Sequence, residues 1–373
     1  MNKNRKNFNI YVFLSTFARN LIEIFIPIIL YKFGYTLKEV IFYYLCVNAF
    51  SLIISCCCLK KLDKMNYKVF SFVGIICFLI MQILLNKIVY SVWYLAILGF
   101  LFALYRRGYW ISRRFYNLFV ISEKNVSMSY TIICIINQLG VVLSSYIGAL
   151  LLDFVSIKAL TIISISLFII SIIPLYFIDV KNENKKDNIK FKDMIKDIGL
   201  KRLYLFGTYE LLNVVKFLFP LYLTIYVKDT YQTVGFFNLF TNLATLIFAY
   251  MYGKKINNNK NFLNLSIILV VIIYFIKANT VSILMILVAF LEGLFTKMHE
   301  LSINKEYYVL SKKYEFKKYN FVYENTQNVT RTIVVFIMMF LNNIKIMIYI
   351  NLMFILIGVF VNDMLQTQNK TVH

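Results

Sequence analysis

The sequence predicts an all-α membrane protein of about twelve transmembrane helices, arranged as two pseudo-symmetric six-helix bundles. Three observations lead there. Apolar residues make up 60% of the chain and charged residues only 16%, too little charge for a soluble domain of this size. Apolar runs follow one another from end to end, each near the length that crosses ~30 Å of hydrocarbon. Several stretches of the first half reappear in order in the second. Outer-membrane barrels are excluded because their strands alternate in polarity rather than forming solid apolar runs.

The spans fall at 8–31, 39–59, 69–86, 89–112, 127–151, 157–178, 203–227, 231–253, 261–278, 280–303, 319–341 and 343–362. Starting inside, the even-numbered connections and both termini hold roughly 29 Lys or Arg, against about 7 in the odd-numbered connections. "KKLDKMNYK", "YRRGYWISRRF" and "YGKKINNNKN" all fall on one side. This alternation predicts a multi-pass protein of the cell membrane with both termini cytoplasmic. It also accounts for the +22 net charge without a nucleic-acid partner. The first span is too long for a cleaved signal peptide, Arg19 and Glu23 interrupt it, and no small-residue cleavage site follows. Cys46, Cys56, Cys57, Cys58, Cys77 and Cys134 lie in or beside spans without metal-type spacing. They read as small apolar helix residues rather than disulfides.

The longest polar stretch, 179–202, carries mixed charge and no core of its own. It reads as a cytoplasmic linker between a bundle at 1–178 and a bundle at 203–373. Phe191, Met194, Ile195 and Ile198 predict an amphipathic surface helix in its second half. Across the linker, "NLIEIFIP" (Asn20 to Pro27) matches "NVVKFLFP" (Asn213 to Pro220), with Glu23 opposite Lys216. Within one residue, the same offset sets Gly99 on Gly293 and "LKKLDK" near "YGKKIN". Agreement at several places predicts a duplicated six-helix unit.

With these residues in hand, the chain resembles the major facilitator superfamily over nearly its whole length. The family's loop between helices two and three has the form Gly-x-x-x-Asp-Arg/Lys-x-Gly-Arg/Lys. Here Asp63, Lys64 and Lys68 suit it and both glycines are missing. The resemblance implies that this loop helps the halves lock and release, and Arg106 opposite Glu300 adds a candidate cytoplasmic gate. In span five, "NQLGVVLSSYIGALL" resembles a worn copy of the family's exporter motif. Gly140, Gly148 and Ala149 fit it, and Ser144 and Ser145 stand where Gly and Pro would be. Close helix packing explains the same small residues. The Arg on span four that the family associates with proton-coupled drug export is absent from "LAILGFLFALY".

A central Arg, Lys or Asp costs about 2.5–3.5 kcal/mol to insert, so intramembrane charges should face a cavity or one another. Arg19 and Glu23, four apart on one helix face, can pair. The expected transport cavity takes these two with Asn20, Asn137, Gln138, Glu210, Asn213, Lys216, Glu292 and Arg331. Asn48, Asn242 and Asn328 are weaker members, each as readily a helix-to-helix hydrogen bond. Lys297, His299 and Glu300 crowd the cytoplasmic half of span ten. Glu210 and Glu292 are the expected proton carriers, because neither has a basic residue at the adjoining helical spacings, whereas Glu23 has Arg19.

Other chemistries find no footing. In "MHELS" the position four after His299 is Ile303, so a zinc-protease signature fails, and no cofactor or metal is expected. No nucleotide-binding glycine loop occurs. The basic and aromatic stretch 306–323 reads as an interfacial segment with snorkelling Lys and anchoring Tyr. The expected function is secondary active transport of a small polar or charged solute by alternating access. It would use a coupling ion such as the proton, lean slightly to export, and require no partner beyond the lipid bilayer, the chain acting as a monomer. The alternatives are a lipid or lipid-linked glycan flippase of another fold and, less favoured, a membrane-embedded acyltransferase.

Overall fold

The computed structural model describes residues 3–59, 66–120, 126–178, 191–227, 230–252, 260–280, 284–311, 314 and 316–370. Among these every regular element is helical. The first apolar run does not form one straight helix. It gives α1 (Lys3–Asn20), a 3₁₀ turn at Glu23–Phe25 and α2 (Ile26–Phe33), with Pro27 in the first turn of α2, where a missing N–H costs nothing. Gly34 ends α2 at φ 114°, a conformation open to glycine, with its amide donating to Leu30 and Tyr31 carbonyls.

Next come α3 (Leu37–Leu59), α4 (Tyr67–Leu85), α5 (Val92–Val120), α6 (Val126–Phe154) and α7 (Ile157–Tyr176). Their starts carry recognisable caps. Thr36 and Glu39 exchange backbone and side-chain bonds at α3 (2.7 and 3.3 Å), the Asn66 side chain accepts from Lys68 and Val69, and Ser156 accepts from Ala159. Then follow α8 (Phe191–Ile198), α9 (Leu200–Tyr226), α10 (Tyr231–Tyr252), α11 (Lys260–Asn279), α12 (Leu284–Ser311), α13 (Phe316–Met338) and α14 (Ile344–Lys370). The amphipathic α8 turns Met194 and Ile198 into the protein while Ile195 is exposed, and Asp197 accepts a bond from Tyr314.

Eight of the described segments are long and apolar enough to cross a membrane: α1 with α2, α3, α4, α6, α7, α10, α11 and α14. The remaining long helices, α5, α9, α12 and α13, are less apolar because they carry Arg, Lys and Glu in their interiors. Burial is inverted relative to a soluble protein. Ile162, Ile173, Phe340 and Phe360 face outward, whereas Arg107, Glu292, Lys297 and Gln327 are inside.

Packing repeats along the chain. In the first group, α1 packs on α6 and α7, α4 on α5 and α7, and α3 on α5. In the second, α9 packs on α13 and α14, α11 on α12 and α14, and α10 on α12. Each pairing has its counterpart when the helices are matched in order. Between the groups α6 meets α10, α3 meets α13, and α2 meets α9. A Cβ on Gly99 would meet Cys46 and the α3 backbone, and one on Gly293 would meet Thr241 and Ala244 of α10, so the two glycines admit equivalent neighbours. Gly140 and Gly148 of α6 make the same kind of close approach to Phe13 and Leu21 of the first span.

Several boundaries differ from the sequence reading: α12 runs to Ser311 rather than 303 and α14 to Lys370 rather than 362, and two further differences reach the polar interior. The first span, expected as one helix over 8–31, breaks after Asn20. The fourth, expected to stop at 112, continues as helix to Val120, so Arg113 and Arg114 belong to a helix rather than to a solvated loop.

Candidate transport cavity

The polar side chains converge on a cavity of about 420 Å³ between the two groups. It falls within the ~300–1,000 Å³ usual for small-molecule sites. The first span, α3, α5, α6, α9, α10, α11, α12 and α13 line it, and α4, α7 and α14 stay outside. The break in the first span places Arg19 and Glu23 on its wall. Arg19 Nε lies 2.8 Å from Glu23 Oε2 across the break, and its guanidinium sits 5.2 Å from the Tyr109 and Trp110 rings. Asn20 closes α1 by donating to the Thr16 carbonyl at 2.8 Å.

Glu210 of α9 gathers three helices. Its Oε2 accepts from Asn213 at 3.0 Å, meets Arg331 of α13 at 2.9 Å, and lies 3.9 Å from Arg106 of α5. Arg106 also donates to Asn48 at 3.1 Å, and Arg331 to Asn328 at 2.7 Å. Glu292 pairs with Lys277 of α11 and accepts from the Tyr274 hydroxyl at 2.8 Å. Gln138 donates to Asn242 at 2.7 Å, joining α6 to α10. Asn137 accepts from Thr16 and Arg113, both at 2.8 Å. Lys297 and Glu300 pair at 2.7 Å along α12. Lys216 is exposed into the cavity and makes no hydrogen bond or ion pair with a described residue.

The two groups are tied to each other at two well-separated places. Between the second half of α5 and the first half of α13, Glu324 receives Arg107 at 3.1 Å and Arg114 at 2.5 Å, all three largely buried. The 29 residues of α6 span about 43 Å at 1.5 Å per residue. At its far end Asp153 accepts from the Tyr231 and Gln232 amides, capping α10. Phe25 and Lys32 pack on the Tyr231 ring there. Also between the groups, the Tyr44 and Phe217 rings stack with centroids 3.9 Å apart.

The family model of the Major Facilitator Superfamily matches residues 8–299. The chain belongs to the major facilitator superfamily. It is therefore a multi-pass membrane transporter and not an enzyme. No curated protein matches it in sequence. Among solved structures it is similar to a bacterial homologue of the iron transporter ferroportin. The outward-facing form aligns at TM-score 0.69, 13% identity, over 98% of this chain and 99% of that one. The inward-facing form aligns at TM-score 0.66, 15% identity, over 96% and 97%. A bacterial metal transporter aligns at TM-score 0.63, 12% identity, over 97% and 98%.

Within this superfamily member, all ten residues expected in the cavity line it: Arg19, Asn20, Glu23, Asn137, Gln138, Glu210, Asn213, Lys216, Glu292 and Arg331. Asn48, Asn242 and Asn328 line it as well. Of the expected gating residues, Asp63 and Lys64 lie outside the described residues. Lys68 donates to the Tyr176 carbonyl at 3.0 Å, a tie within the first group. Arg106 and Glu300 line the cavity but bond to other partners rather than to each other. Glu210 and Glu292 have no base at the adjoining spacings of their own helices, but neighbouring helices bring Arg331 and Arg106 to Glu210 and Lys277 to Glu292. His299 stands apart from the cavity wall, between the Thr208 and Ser266 hydroxyls at 3.1 and 3.2 Å. Sequence reasoning missed Glu324, Lys277 and the Arg113–Arg114 pair. A lone acid in an Asn- and Gln-rich span and the "RRGYWISRR" spacing were the available signals.

Proposed function

We propose that this superfamily member is a secondary transporter that carries a small polar or charged solute across the cell membrane by alternating access. One observation carries the reading: a charged cavity lies between the groups, and breakable side-chain ties join the groups at Glu324 and at Asp153. The broken first span adds support, since interrupted helices at membrane depth are tolerated where they line a polar cavity. In this reading α5, α9, α12 and α13 complete the twelve spans. Residues 1–178 and 203–373 form two bundles of six that rock about the cavity within a monomeric protein, with both termini cytoplasmic. The helix pairings that repeat in order support the two-bundle layout. A proton gradient drives the cycle, and the small-residue pattern of α6 favours export.

The metal cargo named for the structural neighbours does not carry over. Among the described residues no group of three or more His, Cys, Asp or Glu could hold a metal ion. The test is accessibility. A single cysteine at Asn213, in a chain freed of its six native cysteines, is treated with a membrane-impermeant thiol reagent from each face of oriented vesicles. Labelling from each face in separate populations is expected. Labelling from one face only, whatever the pH gradient, would overturn alternating access.

A further inference from the structure

The cavity's charge is unbalanced, and the imbalance is localised. Nine Lys or Arg and five Glu line it, with neither His nor Asp among the lining residues. Every one of the five glutamates already faces a base within ion-pair distance. Two bases have no carboxylate of their own. Arg113 of α5 is held by neutral groups, the Tyr109 hydroxyl at 2.5 Å and Asn137 at 2.8 Å. Lys216 of α9 has no bonded partner among the described residues and opens into the cavity. The carboxylates within electrostatic reach of Lys216 are Glu300, Glu292 and Glu210, each engaged elsewhere, and Lys297 adds a further positive charge there. Arg113 acts on the same Lys297 from the other group. Among the described residues no carboxylate is left over to pair with Lys216, at a depth where a charge without a counter-ion is costly.

We propose that the cavity binds a small organic anion, a carboxylate or phosphate ester, whose charged group pairs with Lys216 and is drawn in by the surplus positive charge around Arg113 and Lys297. The inference rests on the transporter reading and names its substrate class. Lys216 suits the task because an ammonium on a flexible stem offers three donors in any direction. Neutral amides such as Asn213 and Gln138 complete the donor set on the walls. A cation would meet a repulsive field and find each carboxylate taken.

The test uses purified full-length protein in detergent, followed by thermal unfolding with succinate, citrate, phosphoenolpyruvate and glycerol 3-phosphate as anionic probes. Glucose, glycine, lysine and manganese(II) serve as neutral, zwitterionic and cationic probes. Wild type, Lys216→Gln and Lys216→Arg are compared; Lys216→Gln removes a cavity-facing charge that has no bonded partner among the described residues, so the fold is kept. At least one anion should raise the midpoint. Lys216→Gln should raise its half-effect concentration about tenfold or more, and Lys216→Arg should restore most of the response. Equal anion responses in wild type and Lys216→Gln would overturn the proposal. Stabilisation by neutral, zwitterionic or cationic probes alone would overturn the anion while leaving the transporter cavity in place. No response to any probe in any protein would remove both.

Discussion

Glu324 ties α13 to α5 on the cavity wall, because its carboxylate meets both Arg107 and Arg114. Removing it takes that carboxylate from two buried guanidinium groups. Breaking a buried pair in this way costs about 3–5 kcal/mol. Glu324→Gln should therefore lower the thermal midpoint of the purified protein clearly. It should also speed labelling of a cysteine placed at Gln327, which lines the cavity beside it. Lys277 and Glu292 make a second test. Lys277→Met alone should cost about 3–5 kcal/mol by stranding the carboxylate, whereas Lys277→Met with Glu292→Gln should recover most of that loss. At this scale the sequence marked positions well and partners poorly. The polar residues of the spans stand out against an apolar background, and the ten singled out line the cavity. Glu210 and Glu292 lack a base at the adjoining spacings of their own helices, and the bases that meet them, Arg331 and Arg106 for Glu210 and Lys277 for Glu292, stand on other helices that become neighbours only on folding.

Among the elements, the first and seventh spans carry the same Asn-to-Pro spacing and fold differently. The first breaks at Glu23–Phe25, whereas α9 runs unbroken from Leu200 to Tyr226 through Pro220. A proline frees a backbone carbonyl in both, and only the first span is broken one turn before it. Helix ends were harder to read than helix cores. Span four was expected to stop at 112, before the second arginine pair, yet α5 continues because Arg113 and Arg114 find partners inside the protein. Glycine contacts give the prediction proper to this scale. A Cβ at Gly293 would strike the backbone of Thr241, which cannot turn aside, whereas one at Gly358 would meet a Thr208 methyl and other side-chain ends. Gly293→Ala should cost about 1–3 kcal/mol in denaturant unfolding, and Gly358→Ala distinctly less.

For the molecule as a whole, the contacts that join α6 to α10 and α3 to α13 require no continuous chain between the two groups. Segments 1–178 and 191–373 expressed together as separate chains should therefore co-purify. Recovery of either segment free of the other would contradict that. The duplication was legible because sequence offsets survive in Asn, Pro and Gly positions. The cavity's charge excess was not, since counting bases by membrane side assigns the α5 arginines to a loop. The break in the first span has a mechanical consequence for this duplicated design. Two copies of one unit, one jointed at its centre and one stiff, cannot share a deformation equally. Compliance is concentrated in the jointed copy, and the unbroken α9 acts as the fixed arm against which residues 21–25 flex. Amide hydrogen exchange should accordingly run faster at 21–25 than at 214–218, although both segments lie at the same depth of the repeat.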